Sequence, residues 1–285
     1  MFEKTNIIRL LILFFILLLG GWLFTNIWAD AFRGGLAVLM AALTGLWLLS
    51  LLIKDASIID IFWGIGFIIV GWFYAWQQGW ETMSLRNFVL LSMITLWGLR
   101  LAAYIGIRNI GKPEDYRYAE WREENGKNWW WFSFFKVFLL QGVLLWIISS
   151  IYYPSLLMKG DLSIWDYIGI GFWSIGLFFE TVGDWQMMSF KKYPINKGKV
   201  MDLGLWKYTR HPNYFGDTMV WWGFFFFSLA HPQGIYYIFC PIFMTFLLLK
   251  VSGVAMLEEG LKKTKPAYAE YIRKTSAFIP WFPKE

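Results

Sequence analysis

Residues 207–217 concentrate side chains that can do chemistry. These eleven residues supply a guanidinium, an imidazole, an amide, two phenols and a carboxylate, from Arg210, His211, Asn213, Tyr208, Tyr214 and Asp217. A strongly apolar run follows directly, at residues 221–227. Polar groups beside lipid-facing sequence are costly to bury, so they usually mark a binding or catalytic site. The alternative is structural: Pro212 would begin a helix, preceded by an exposed loop.

Further polar residues fall at the edges of other apolar segments. They are Asp55, Asp60, Arg100, Tyr104, Glu180, Asp184, Glu258 and Glu259. Arg100 and Tyr104 are four residues apart, which places both on one face of a helix, and Glu180 and Asp184 have the same spacing. If successive helices alternate in direction, four of them bring charges to one level of the membrane. Salt bridges that close a helix bundle are the alternative interpretation.

The elements that must position these residues are membrane helices. The chain is 58% hydrophobic, 21% aromatic and 16% charged, which is more apolar than a soluble domain of this length can bury. Eight apolar segments approach spanning length, at residues 7–28, 36–53, 58–76, 87–107, 132–151, 164–179, 214–230 and 236–251. Two of them are short, so seven spans are an alternative to eight. The sequence therefore predicts an all-α integral membrane bundle of seven or eight transmembrane helices.

The distribution of positive charge predicts the orientation. Threading eight spans from a cytoplasmic N-terminus places 22 lysines and arginines on the cytoplasmic side, against Arg33, Arg86 and Lys159 on the other. Arg100 alone falls inside a span. This asymmetry follows the positive-inside rule and predicts that both termini are cytoplasmic. It also accounts for the net charge of +6 without nucleic-acid binding, and the single Cys240 excludes a disulfide framework.

The polar cluster suits a phosphorylated nucleotide. Basic residues surround the Glu180–Asp184 pair, namely Lys191, Lys192, Lys197, Lys199 and Arg210. Lysine and arginine bind phosphate, and the neighbouring aromatic residues offer stacking faces. The chain lacks both a G-x-G-x-x-G turn and a P-loop, so helix ends and cytoplasmic loops would hold the nucleotide. A zinc site is not expected, because His211 and His231 fall on opposite sides of the membrane.

Two motifs resemble a known membrane superfamily. Residues 209–217, Thr-Arg-His-Pro-Asn-Tyr-Phe-Gly-Asp, are very similar to the sterol reductases, and isoprenylcysteine carboxyl methyltransferases share a shorter form. The tail from Tyr268 to Pro280, with Tyr271 and an Ile-Pro ending, resembles the tail of both groups and of steroid 5α-reductases. The chain as a whole most resembles the bacterial 5α-reductase-like family, over residues 36–285. Residues 1–35 would then be an added N-terminal helix and loop.

The resemblance implies roles for individual residues. Asn213 and Asp217 would bind the nicotinamide carboxamide, and Glu180 and Asp184 would hold the cofactor, with Glu180 standing where the family has Asn. The other cofactor-binding residues would be Lys112, Lys191, Tyr208, Arg210, His211, Tyr214, Lys250 and Tyr271. Glu258 matches an acid near the catalytic centre of sterol reductases. Asp60 and Tyr104 are the nearest counterparts of the carboxylate and tyrosine that hold a substrate ketone.

These observations predict an NADPH-dependent reductase with a cofactor pocket covered by cytoplasmic loops. Hydride would pass to an activated C=C bond of a steroid, sterol or isoprenoid-like substrate admitted from the bilayer, where membrane lipids surround the protein. The resemblance to bacterial proteins implies the inner membrane. The alternative is a methyltransferase that uses S-adenosylmethionine. That cofactor has no phosphate, so the lysine cluster would lack a partner.

Overall fold

The computed structural model describes residues 29–251 and 254–284. The regular elements within these residues are helices. The helices are α1 (Ala29–Ile53), α2 (Ile58–Gln78), α3 (Leu85–Asn109), α4 (Tyr116–Asn125), α5, α6 (Tyr152–Leu157), α7 (Ile164–Lys192), α8 (Pro212–Ser228), α9, α10 (Val254–Thr264) and α11 (Tyr268–Lys274). Helix α5 comprises Trp129–Ser133, a π-helical segment Phe134–Leu139, and Leu140–Ser149. Helix α9 comprises Phe239–Phe246 and a π-helical segment Leu247–Val251.

Five stretches among the described residues are long and apolar enough to cross a membrane. They are Phe32–Ile53, Ile58–Gln78, Leu85–Asn109, Tyr116–Ser149 and Gly234–Val251. Large apolar side chains such as Leu52, which is 81% exposed, face outward from them. Such an exposed apolar surface suits lipid rather than water. The chain is therefore an integral membrane protein.

The helices correspond to the predicted segments with shifted ends. The predicted segment 7–28 lies outside the described residues, so the added N-terminal helix and the domain boundary at residue 35 stay predictions. The predicted segments 164–179 and 214–230 fall on α7 and α8. Helix α7 continues to Lys192, well beyond the predicted end of this segment at residue 179. This extension keeps Glu180, Asp184 and Lys191 on one rigid helix.

Local sequence sets the ends of the helices that carry the site. Ser163 and Asp166 form a reciprocal capping box at the start of α7, and Ser84 and Asn87 do so at the start of α3. Pro212 occupies the first turn of α8, where its missing N–H costs nothing. The predicted helix start at Pro212 is therefore confirmed.

Glycines bring α7 and α8 into close contact. A Cβ atom on Gly176 would lie 2.5 Å from the carbonyl oxygen of Gly216, and one on Gly169 would lie 2.7 Å from that of Gly223. Small residues at such positions let two helix backbones approach, which is a common way to pack helices in a membrane. The contact sets the C-terminal half of α7 against the first turns of α8, which are the two segments that carry the polar motif.

A buried ion pair fastens the opposite end of the bundle. Arg86, at the start of α3, lies 2.8 Å from Asp166 of α7, and both side chains are at most 1% exposed. The guanidinium also lies over the ring of Phe227 and donates to its carbonyl oxygen. The sequence placed Arg86 with the charges of an outer loop. The structure buries it instead, because Asp166 and backbone carbonyls satisfy its hydrogen bonds.

Candidate functional site

Arg100 organises the polar centre of the bundle. From α3 its guanidinium binds Glu180 at 2.5 Å and also pairs with Asp184, one turn further along α7. The indole of Trp97, on the preceding turn of α3, donates to the other oxygen of Glu180 at 3.0 Å. Glu180 is 2% exposed. The predicted meeting of the charges of α3 and α7 is therefore confirmed, and it takes the form of a buried ion pair.

Helix α8 adds an amide and a third carboxylate. Asn213 donates through Nδ2 to Asp184 at 3.1 Å, so the amide belongs to the same network as Arg100. The Oδ1 atom of Asp217, one turn further along α8, is buried without a hydrogen-bond partner among the described residues. Arg100 thus pairs with two carboxylates, while a third is buried on the adjoining helix with its Oδ1 atom unpaired among the described residues. Burial of unpaired charge is costly, so this centre is poised for a ligand, a proton or a further cation.

A basic cavity of about 520 Å³ opens between α7, α8, the segment that joins them, and the C-terminal segment. Its cations come from five segments of the chain: Arg108, Lys191, Lys192, Lys197, Arg210 and Lys265. Tyr193, Trp206, Tyr268 and Tyr271 provide aromatic surface in the same cavity. Arg210 pairs with Glu258, whereas the other five cations have no carboxylate partner among the described residues. Such a lining of cations and aromatic rings has the chemistry that binds anionic, ring-containing molecules.

Burial, and for Lys191 also the neighbouring cations, disfavours the charge on two lysines of this cavity. Burial lowers the pKa of Lys191, in the last turn of α7 and beyond the predicted span, and the neighbouring cations Arg108, Lys265 and Lys112 lower it further. Burial also lowers the pKa of Lys265. A crowd of cations that disfavours its own charge gains most from a bound anion, since the anion favours the protonated form.

A second, larger cavity of about 760 Å³ adjoins the first, and we call it the apolar cavity. Its apolar wall comes from α3, α5 and α9, with Leu101, Ile105, Leu144, Met244, Leu247, Leu248 and Val251. Both cavities are lined by the same five residues, which form a shared wall: Tyr104, Arg108, Asp184, Asn213 and Tyr214. Groups held in the two cavities would meet at this wall.

Asp60 and Tyr104, the predicted counterparts of the residues that hold a substrate ketone, both line the apolar cavity. The phenol partner of Asp60 is Tyr118 of α4, whose hydroxyl donates to it at 2.7 Å. Arg117 binds the other oxygen of Asp60 at 3.0 Å. Tyr104 instead lies between the guanidinium groups of Arg100 and Arg108, 5.5 Å and 5.8 Å from its ring centre. Tyr104 therefore belongs to the shared wall.

The C-terminal segment is clamped over the basic cavity through Glu258. One carboxylate oxygen of Glu258 binds Arg210 at 2.8 Å and the imidazole of His211 at 3.1 Å. Burial raises the pKa of Glu258, but the hydrogen bonds from Arg210 and His211 outweigh it and hold that pKa below its usual value. Burial lowers the pKa of His211. A neutral imidazole that donates to an ionised carboxylate is the form this geometry favours.

The last residues of the chain close the clamp through backbone contacts. Thr209 forms a parallel β-bridge with Ser276, and the hydroxyl of Thr209 donates to the carbonyl oxygen of Phe278 at 2.8 Å. The hydroxyl of Tyr271 donates to the carbonyl oxygen of Trp206 at 2.5 Å. The two motifs that carry the resemblance therefore lie against each other. This contact fixes the loop before α8 and, with it, the position of Asn213.

Most of the predicted site residues line one of the cavities. Those that do are Asp60, Tyr104, Glu180, Asp184, Lys191, Arg210, His211, Asn213, Tyr214 and Tyr271. The other predicted residues line neither cavity: Lys112, Tyr208, Asp217, Lys250 and Glu258. The charge of Lys112 nevertheless helps to lower the pKa of Lys191. The roles assigned to all of them stay predictions.

Sequence reasoning missed several lining residues. Arg108 lies four residues after Tyr104, so helical spacing could have identified it. Lys265 and Tyr268 lie near the C-terminus, and their spacing in the sequence did not indicate that they would line a cavity. Tyr118 and Gln141 line the apolar cavity from α4 and α5, and only the tertiary packing of these helices brings them there.

Comparison with known proteins adds three findings. Residues 46–275 match a family described as "Protein of unknown function (DUF1295)", which is the steroid 5α-reductase-like family. The chain is 26% identical, over 265 aligned residues, to an uncharacterized protein of Schizosaccharomyces pombe; the alignment covers 82% of this chain and 75% of the yeast protein. No solved structure matches the chain. Since the family match spans well over half of the sequence, the chain belongs to the DUF1295 family of steroid 5α-reductase-like membrane proteins.

Proposed function

We propose that this protein is a membrane-embedded, NADPH-dependent reductase that acts on an activated C=C bond of a lipophilic substrate. The observation that carries the proposal is the pair of adjoining cavities. One is basic and bordered by the cytoplasmic segments, the other is largely apolar, and they share a wall at Tyr104, Asp184, Asn213 and Tyr214. A reaction between a charged, water-soluble cofactor and a membrane substrate needs this arrangement.

The residues of the basic cavity fit a phosphorylated dinucleotide. Lys191, Lys192 and Lys197 would bind phosphate groups, and Tyr193 and Trp206 offer faces for stacking. Asn213 uses one N–H on Asp184, so its second N–H and its carbonyl oxygen can bind a carboxamide. NADPH, when bound, supplies the hydride, while the protein supplies orientation and electrostatics.

The shared wall would hold the reacting groups in place. Arg100 fixes Asp184, and Asp184 in turn fixes the amide of Asn213. Tyr104 lies between two guanidinium groups and would present its phenol where the cavities meet. Of the three predicted catalytic residues, Tyr104 and Asp60 face the apolar cavity. We assign Glu258 to the clamp, because it binds Arg210 and His211 and lines neither cavity.

The proposed topology has eight spans. The five apolar helices, α7, α8 and the predicted helix at residues 7–28 would cross the membrane, although α7 carries Glu180 and Asp184 and α8 has only 17 residues. Both termini would then be cytoplasmic, in a bacterial inner membrane. The basic cavity would face the compartment that contains NADPH.

A methyltransferase that uses S-adenosylmethionine is the second candidate. The buried carboxylates of Glu180, Asp184 and Asp217 would suit the sulfonium cation of that cofactor, and this observation favours it. The basic cavity argues against it, because five cations without carboxylate partners would have no phosphate to bind. A cofactor with phosphate groups accounts for these cations, so we favour the reductase.

Cofactor binding tests this proposal. NADPH and S-adenosylmethionine are titrated separately into detergent-purified protein, with heat release as the readout. We expect NADPH to bind and Lys191→Ala to weaken its binding. Binding of S-adenosylmethionine alone would overturn the proposal, and so would NADPH binding that Lys191→Ala and Lys192→Ala leave unchanged. Lys284→Ala, in the exposed tail, is the matched control.

A further inference from the structure

A chain of hydrogen bonds runs along the wall of the apolar cavity. The indole of Trp63 donates to Gln141 Oε1 at 2.6 Å, and Gln141 Nε2 donates to the hydroxyl of Tyr118 at 3.3 Å. That hydroxyl donates in turn to Asp60 at 2.7 Å. The chain joins α2, α5 and α4, and all four residues line the cavity. Every donor in it points toward Asp60.

The inventory of donors and acceptors shows what the chain can still bind. Asp60 can only accept when ionised, and each of its oxygens already accepts one hydrogen bond, from Tyr118 and from Arg117. Gln141 has one carbonyl oxygen and two N–H groups. Trp63 occupies the oxygen and Tyr118 takes one N–H, so the second N–H has no acceptor among the described residues. The second N–H of Gln141 is therefore a neutral donor, which suits a ligand with an acceptor oxygen.

Charge decides whether that ligand is neutral or anionic. Arg117 is already paired with Asp60 and Asp115, at 3.0 Å and 2.8 Å. Across the whole cavity four carboxylates, Asp60, Glu120, Glu180 and Asp184, face three guanidinium groups, Arg100, Arg108 and Arg117. An anionic headgroup would meet surplus negative charge in a low-dielectric wall, where like charges repel strongly. A neutral carbonyl oxygen meets no such cost.

We propose that Gln141 is the residue that binds the ligand of the apolar cavity, through the carbonyl oxygen of an otherwise apolar, uncharged molecule. Tyr118 and Asp60 are positioning residues: Asp60 orients the phenol, and the phenol orients the amide. The ligand class is a neutral lipophilic ketone or aldehyde, rather than a carboxylate or diphosphate lipid. The inference rests on the proposed function only for what happens to the ligand afterwards, since binding needs no cofactor.

The test compares three probes with the same hydrocarbon body. Farnesal carries a conjugated aldehyde, farnesoate a carboxylate, and farnesene no oxygen. Equilibrium dialysis against detergent-purified protein without cofactor gives their affinities. We expect farnesal to bind most tightly. Gln141→Leu should weaken farnesal about two- to twelvefold, the range for loss of one neutral hydrogen bond of about 0.5–1.5 kcal/mol, and should leave farnesene unchanged.

Two further variants separate binding from folding. Gln141→Glu keeps the size and the acceptor for Trp63 but removes both N–H donors, so it should weaken farnesal as Gln141→Leu does. Tyr118→Phe should weaken farnesal in the wild-type background and add little in the Gln141→Leu background, because a positioning residue acts only through the amide. Tyr167→Phe, exposed on α7 and outside both cavities, is the control.

Three results would overturn the inference. Tighter binding of farnesoate than of farnesal would mean that Arg108 reads an anion instead. An equal loss of farnesal and farnesene binding in Gln141→Leu would reduce Gln141 to a packing role. Failure of all three probes to bind would remove the cavity as a lipid site. None of these results depends on NADPH, so they are distinguishable from failure of the proposed function.

Discussion

Replacement of Arg100 by Gln should destabilise the protein more than loss of any surface ion pair. The guanidinium is 15% exposed, whereas its partners Glu180 and Asp184 are 2% and 6% exposed. Removing one partner of a buried pair costs about 3–5 kcal/mol, because the remaining charge stays buried without compensation. Arg100 is partly accessible to water, so we expect a loss of about 3 kcal/mol in the free energy of unfolding.

The assay is reversible unfolding in mixed detergent micelles, followed by circular dichroism. Glu180→Gln in the Arg100→Gln background should restore part of the loss, since it removes one uncompensated carboxylate; the two effects are then not additive. Lys274→Gln is the control, because its ion pair with Glu270 has side chains more than half exposed and exposed ion pairs contribute little to stability. An Arg100→Gln variant within about 1 kcal/mol of the wild type would refute the central role of this guanidinium.

Three further predictions follow from the cavities and the clamp. NADPH affinity should fall as pH rises through the lowered pKa of Lys191, at a pH below the 10.5 of an ordinary lysine, and Lys191→Ala should reduce this fall, leaving the part that Lys265 contributes; an unchanged pH profile in the variant would contradict it. Asn213→Ala should weaken NADPH binding by about 1–3 kcal/mol, whereas Asp161→Ala, on the far side, should not; equal effects of the two would exclude Asn213 from the site. Acidification should loosen the clamp. Ionised Glu258 stabilises the clamp fully above its ordinary pKa of 4.5, and this stabilisation is lost as pH falls through its lowered pKa. Because burial lowers the pKa of His211, keeping this imidazole neutral costs stability below pH 6.5. The protection of the backbone amides at residues 268–276, measured relative to their intrinsic exchange rate at each pH, should therefore fall at acidic pH, and fall less in Glu258→Gln; protection independent of pH would count against the clamp.

Helical spacing predicted the polar centre because its members lie on a few long helices. Glu180 and Asp184 are one turn apart on α7, and Arg100 lies inside an apolar segment, where a charged side chain needs a partner of opposite charge. Their contact could therefore be anticipated. The start of α8 at Pro212 followed from local chemistry in the same way. Such signals depend only on residues close in sequence.

Contacts between distant segments could not be predicted in this way. Tyr118 contacts Asp60 because α4 packs over the first turn of α2, which carries Asp60. Nothing in the spacing of residues in either segment indicates that contact. Arg86 was assigned to an outer loop, since only the tertiary structure supplies Asp166 as its partner. The clamp at Glu258 likewise depends on how the tail returns to α8. The sequence identified chemical groups well, but it could not show which of them pair.

One incubation tests the central claim most directly. The purified protein in lipid vesicles receives NADPH deuterated at C4, S-adenosylmethionine with a labelled methyl group, and farnesal as the membrane substrate, and the lipid fraction is analysed by mass spectrometry. The proposed reductase should transfer deuterium, and not the labelled methyl group, into a carbon–hydrogen bond of the lipid, and Asn213→Ala should slow this transfer. Labelled methyl in the lipid without deuterium, or no label from either cofactor, would contradict the account.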